Sequence, residues 1–152
     1  MTGLPNWTTP AERQPGWERG YAETLALHMA QPFAWGVSDC LIVPADLCAA
    51  MCGRNPMPAT LRRYRSELGA AKLMRQLAFD TVEDALARVF PPIPVLRARR
   101  GDCGVLEQTV DGRRQLATLI VLGDGSAVGK GQGGIARVPV RALKSTFAIG
   151  SV

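Results

Sequence analysis

Residues 32–53 read Pro-Phe-Ala-Trp-Gly-Val-Ser-Asp-Cys-Leu-Ile-Val-Pro-Ala-Asp-Leu-Cys-Ala-Ala-Met-Cys-Gly. The first nine are a loop holding two aromatics and a glycine, and Ser38 or Asp39 supplies a helix N-cap. A helix follows from about residue 39 to Met51 or Cys52 and closes at Gly53, a natural C-terminal stop. Cys40, Pro44, Leu47, Cys48 and Met51 fall on its apolar face. Pro44 lies inside this pattern and must kink the helix or mark a tightened first turn. Cys40 is thereby placed in the first turn, where unpaired N–H groups and the positive end of the helix dipole favour a thiolate. A thiolate is the nucleophile of cysteine hydrolases, and a small packed thiol is the plainer alternative.

Upstream, Trp17, Tyr21, Thr24, Leu25 and His28 recur at helical spacing, so residues 16–30 read as a helix that Pro32 ends. Residues 1–15 are rich in proline and polar groups and read as an extended arm, with a short helical turn from Pro10 to Arg13. Downstream, residues 59–78 read as one helix with Leu61, Tyr64, Leu68, Ala71 and Leu73 inward and Arg62, Arg63 and Arg65 outward, with Gly69 a possible break. Thr81 caps a short helix from Val82 to Phe90, and Pro91-Pro92-Ile93-Pro94 stops it. The remainder is strand-like: Gly101–Glu107, Arg114–Leu122, and short stretches at 126–128, 134–138 and 146–149. Asp111-Gly112 is a strong hairpin signal. Helices first and a small antiparallel sheet after them make an α+β domain.

The composition agrees with one domain. The chain has 152 residues, of which 47% are hydrophobic and 20% charged. No apolar run approaches the ~18–20 residues of a membrane span, and Met1–Trp7 has no basic start or apolar block of a secretory signal. GxxxxGK[ST] does not occur and no GxGxxG stands between a strand and a helix, so a standard phosphate loop is not expected. Net charge is +5, unevenly spread: residues 1–60 are net −2, residues 61–100 net +5 and residues 101–152 net +2. The middle block, which includes Arg62, Arg63, Arg65, Lys72, Arg75, Arg88, Arg97, Arg99 and Arg100, is either a solvated face or a footprint for an acidic partner or nucleic acid. Cys40, Cys48, Cys52 and Cys103 show no CxxC knuckle and there is one histidine, so neither a zinc site nor a disulfide is expected and a reducing compartment is inferred.

The segment Pro32–Cys40 resembles the nucleophile segment of papain-like cysteine peptidases of the NlpC type, cell-wall hydrolases of bacteria and phages, in which an aromatic-Gly-x-x-Asp-Cys stretch opens the first core helix. Arg100-Gly101-Asp102 is similar to that family's Gly-Asp entry to its first strand. Ala117-Thr118-Leu119-Ile120-Val121-Leu122-Gly123 is similar in spacing to its His-Val-Gly-Ile-Tyr-x-Gly strand. More closely, the chain resembles a phage-encoded offshoot of the family without an assigned function, through the turn Gly53-Arg54-Asn55-Pro56 and the helix at Arg63-Tyr64. The resemblance spans about residues 17–150. It implies a papain-like fold, with N-terminal helices packed on a small antiparallel sheet, residues 16–152 forming one NlpC-like domain.

The resemblance also implies Cys40 as the nucleophile if the protein is active, and a catalytic histidine where this chain has Ala117. No histidine follows residue 28. Cysteine hydrolysis needs an imidazole to take the thiol proton and return it to the leaving amine. His28 is a candidate relocated base, or a satisfied core residue. Asp39 reads as a cap and Asp46 as a polar-face residue. The resulting expectation is a non-catalytic, structural NlpC-like component of a phage tail tip or tail assembly, made in the bacterial host cytoplasm and carried in the virion tail. Its expected partners are tail hub and distal-tail proteins, for which Trp7, Trp17 and Trp35 offer anchors. No cofactor, metal, membrane or nucleic-acid partner is expected. The alternatives are an active cell-wall peptidase or amidase with Cys40 as nucleophile, and a nucleic-acid-binding module through the Arg-rich helix at 61–75.

Overall fold

The first long element is α1, Trp17–Ala30, entered through Gly16 in a left-handed conformation (φ 77°). Its inner face is Tyr21, Leu25 and His28, the spacing predicted from sequence. It ends where Gln31, before Pro32, is forced into an extended backbone. The second helix, α2, runs Ile42–Cys52 and is buried on nearly all sides. Asp39 caps its entry: one carboxylate oxygen accepts the N–H groups of Leu41 and Ile42 at 3.0 Å each. Pro44 is its third residue, where the missing N–H costs little, so it marks the first turn. Gly53 closes it at φ 75°. The computed structural model describes residues 4, 5, 7 and 11–150.

The single helix expected over 59–78 is two pieces. A 3-10 turn covers Ala59–Leu61, the backbone then runs irregularly, and α3 covers Glu67–Gln76, capped by Ser66 accepting from Gly69 N–H. The break is tertiary in origin. Arg62 leaves the helical path to reach Met57 C=O and Asp46, and Tyr64 reaches Asp39. These long-range bonds outweigh the weak preference of the sequence for continuous helix. Helix α4, Val82–Val89, begins with the capping box Thr81/Asp84.

Among the described residues the sheet holds six antiparallel strands in the order β1-β6-β2-β3-β4-β5. They are β1 (Pro92–Ile93), β2 (Cys103–Val110), β3 (Arg113–Val121), β4 (Ser126–Gly131), β5 (Gly134–Pro139) and β6 (Ser145–Phe147). The proline run after α4 does more than stop it, because Pro92 and Ile93 pair with Phe147 and Thr146 at the sheet edge. An edge strand tolerates proline, which has no N–H to offer a ladder. β2 and β3 form the predicted hairpin, with Asp111 and Gly112 both at positive φ (52° and 75°) as a two-residue turn requires.

Alternation along β2 and β3 splits the core. Cys103, Val105 and Ile120 face the helices and pack with Leu25, Leu47, Cys48 and Met51. Leu106, Leu119, Val121, Ala127 and Leu143 make a smaller cluster on the other face. The N-terminal arm is tied down by Arg13. Its guanidinium donates to Ile149 C=O, Arg100 C=O and Asp102 at 2.8–2.9 Å, and both charged side chains are buried. The helical turn expected at 10–13 falls partly outside the described residues, and 11–13 are not helical.

Candidate active-site cleft

Cys40 stands just before the first regular turn of α2, between the Asp39 cap and the sheet. Asp39 is itself buried and fully engaged. Besides the two α2 amides it accepts Gly36 N–H at 2.9 Å and the Tyr64 hydroxyl at 2.6 Å. The loop before the nucleophile position, the helix start and the irregular segment after residue 61 are thus locked around one carboxylate. Gly36 is required there, at φ 79°, because a Cβ would stand 2.1 Å from Tyr64 C=O.

Two cavities meet at the cysteine. One, about 480 Å³, opens toward α3 and is lined by Trp35, Tyr64 and Met74. The other, about 510 Å³, opens toward the β2–β3 and β4–β5 hairpins. Trp35, Cys40, Glu67 and Leu116 line both. Trp35 is braced edge-on by Phe33, ring centroids 4.8 Å apart.

The electrostatics oppose a reactive thiol. Burial pushes the Cys40 thiol up to about 12, and the adjacent Asp39 charge adds to the rise, outweighing its backbone hydrogen bond. The dipole of α2 points at Cys40, but the caps on its first amides are already supplied by Asp39. Tyr64 is held neutral by burial and by Asp39.

The sequence-derived candidates fall in different places. Ala117 packs with Leu106 and Leu119 in the smaller cluster and lines the second cavity together with Cys40. Its neighbour Leu116 turns toward the helices and lines both cavities beside Cys40. The β3 residue that shares both cavity linings with Cys40 is therefore an aliphatic one. His28 is buried with both ring nitrogens engaged, Nδ1 with Ser38 Oγ at 2.6 Å and Nε2 with Asp46 at 2.8 Å. It is a satisfied core histidine. Ser38, fully buried, completes a serine–histidine–aspartate chain that no substrate reaches.

Asp46, expected to lie on a solvated polar face, instead joins His28 to Arg62 (2.7 Å) and Asn55 (3.2 Å). Burial alone would raise its carboxyl, but hydrogen bonds from His28, Arg62 and Asn55 hold it below the usual range. Pairing with a residue from another segment was not visible in sequence spacing.

The Arg-rich helix face does not exist as read. Arg62, Arg63 and Arg65 precede α3, and Arg62 and Arg65 are bound to backbone carbonyls. The tryptophans are partly buried: Arg13 and Arg100 guanidinium groups lie over Trp17 at 4.3 and 5.3 Å, and Arg54 lies over Trp7 at 5.2 Å. Cys48, Cys52 and Cys103 are buried thiols behind the cleft. Among the described residues, no group of three or more His, Cys, Asp or Glu side chains is arranged to hold a metal ion, and no helix is long and apolar enough to cross a membrane.

No curated protein and no solved structure matches the chain. The model of a family described as a domain of unknown function (DUF6950) matches residues 12–149, a span from the buried Arg13 through β6, and the chain belongs to that family.

Proposed function

We propose that this chain is a non-catalytic module of NlpC-like, papain-like design, serving as a structural component of a phage tail tip or tail assembly. One observation carries the non-catalytic half: the chain's one histidine is bound on both ring nitrogens away from Cys40, whose thiol is held neutral. Without a general base the thiol proton has no acceptor, and without a general acid the leaving amine has no proton source. The papain-like half is supported by helices packed on an antiparallel sheet with a cysteine at the helix–sheet junction. The tail role rests on the resemblance of the Pro32–Cys40 segment and the later motifs to phage-encoded sequences.

The experiment is a paired one. Purified protein and its Cys40→Ala variant are incubated with peptidoglycan, and soluble fragments are measured. Equal, negligible release from both is expected, and release that depends on Cys40 overturns the reading. In parallel, virions are probed for the protein and hub and distal-tail proteins for binding. Absence from both removes the tail assignment.

A further inference from the structure

We infer that the cleft between the two β-hairpins is a strand-addition site, which takes one extended peptide segment of a partner protein onto the open edge of β3. The inference deepens the proposed function by naming the class of partner, and it rests on the cleft not cutting what it holds.

The sheet is split on one side of β3. β3 pairs with β2 along its whole length, from Arg113 opposite Val110 to Ile120 opposite Cys103. On its other side it pairs with β4 only at Ile120 and Val121. β4 continues to Gly131, but bound to β5. The two hairpins therefore diverge from a closed apex. Gly129 seals that apex, lying so near Thr118 C=O that a Cβ would stand 2.5 Å from the oxygen.

Backbone alternation decides which groups face the gap. Val121 N–H donates to Asp102 C=O, and Leu122 N–H donates to Ser126 C=O. In an antiparallel ladder successive residues turn their polar groups to opposite sides. Odd-numbered residues of β3 thus face β2, and Arg114 and Leu116 present N–H and C=O to the cleft. By the same alternation Lys130 presents its own from the opposite wall. Among the described residues no strand pairs with Arg114 or Leu116 on that side. An added strand gains main-chain hydrogen bonds on β3 and fills the gap between the hairpins.

Side chains set what the segment must carry. Residues of the added strand that point toward the helices meet Phe33, Trp35 and Leu116, so an aromatic or large aliphatic side chain belongs there. Val110 and Ile135, exposed at 41% and 61%, stand on the two walls and widen the apolar contact. Arg114, at the open end, holds Glu107 only loosely at 4.0 Å with both side chains exposed, so a carboxylate on the incoming chain can compete for it. The volume, about 510 Å³, suits a few residues of one strand and not a folded domain.

An mRNA-displayed random octapeptide library is panned on the full-length protein, and enriched peptides are resynthesised for fluorescence anisotropy. Enriched sequences are expected to alternate apolar and polar residues, with an aromatic and an acidic position. Arg114→Pro deletes one cleft-facing N–H without touching the bonds to β2, and Leu116→Glu puts a charge in the apolar seat. Each should weaken binding at least tenfold with circular dichroism unchanged. N-methylating alternate amides of the peptide should do the same with the protein untouched, which guards against a misfolded variant. No enrichment, or binders indifferent to both variants and to N-methylation, overturns the inference. Binders that are cut by the wild type and spared by Cys40→Ala overturn the non-catalytic reading and the inference that rests on it, whereas the outcomes above overturn the inference alone.

Discussion

Alkylation of Cys40 is the most direct probe of the cleft. An ordinary thiol with pKa ~8.5 is about 3% thiolate at pH 7. With its thiol pushed up to about 12, Cys40 is about 0.001% thiolate at the same pH, roughly a three-thousandfold deficit before any steric hindrance. The residue as a whole is partly exposed and lines two cavities, so a small reagent such as iodoacetamide has a route to it. The more basic thiolate is also the better nucleophile and regains part of that deficit, so the rate at Cys40, followed by mass spectrometry of the peptide that contains it, should be about a hundredfold below that of free cysteine. It should rise about tenfold per pH unit up to pH 10, because the thiolate fraction is still climbing there. Urea should restore an ordinary rate. A plateau by pH 8, or fast labelling near pH 6, would show a stabilised thiolate and refute the reasoning that Asp39 and burial hold the proton in place.

Three further outcomes follow from the same packing. Asp102→Ala leaves Arg13 buried without its partner, a change that costs about 3–5 kcal/mol; the melting temperature should fall by about 6–20 °C, and a drop under about 3 °C would contradict the buried-pair description. Asp46 is depressed in the folded state, so its stabilisation is complete above the unfolded carboxyl pKa and is lost as pH falls toward the folded value. Asp46→Asn should accordingly be less stable at neutral pH and show a flatter acid limb in pH-dependent denaturation; a limb identical to wild type would argue against that pairing. Thr118 Oγ1 is buried without a hydrogen-bond partner. Thr118→Val keeps the shape and removes the orphan hydroxyl, so the urea midpoint should rise, by about 1 kcal/mol in stability, and a decrease would mean that the hydroxyl is satisfied in solution.

Much of the fold was legible because local signals agreed with tertiary structure. The period of Trp17, Tyr21, Leu25 and His28, the Thr81 cap and the Asp111-Gly112 turn each fix an element through bonds within a few residues. The reading failed where a distant group decided. The segment from 59 to 78 has helical spacing, but Asp46 and Asp39 pull Arg62 and Tyr64 off the path. Cys40 and the Asp39 cap were identifiable from the Gly36–Cys40 spacing. Leu116 as the β3 residue lining both cavities with Cys40 was not, because a one-residue shift of phase along a strand reverses the face and only the observed register supplies that phase. Arg13 was overlooked for a similar reason: its partners lie at 100, 102 and 149, and nothing around residue 13 announces them.

That clamp has a mechanical consequence. Residues 13 and 149 are joined directly through one guanidinium, which is also anchored at 100 and 102. Tension applied across the two ends of the domain loads these few bonds before it reaches the hairpin ladders or the helices. The cleft lies in the interior of that loop of chain, so a stretched neighbour can tug on the ends without prising the hairpins apart until the Arg13 latch gives way.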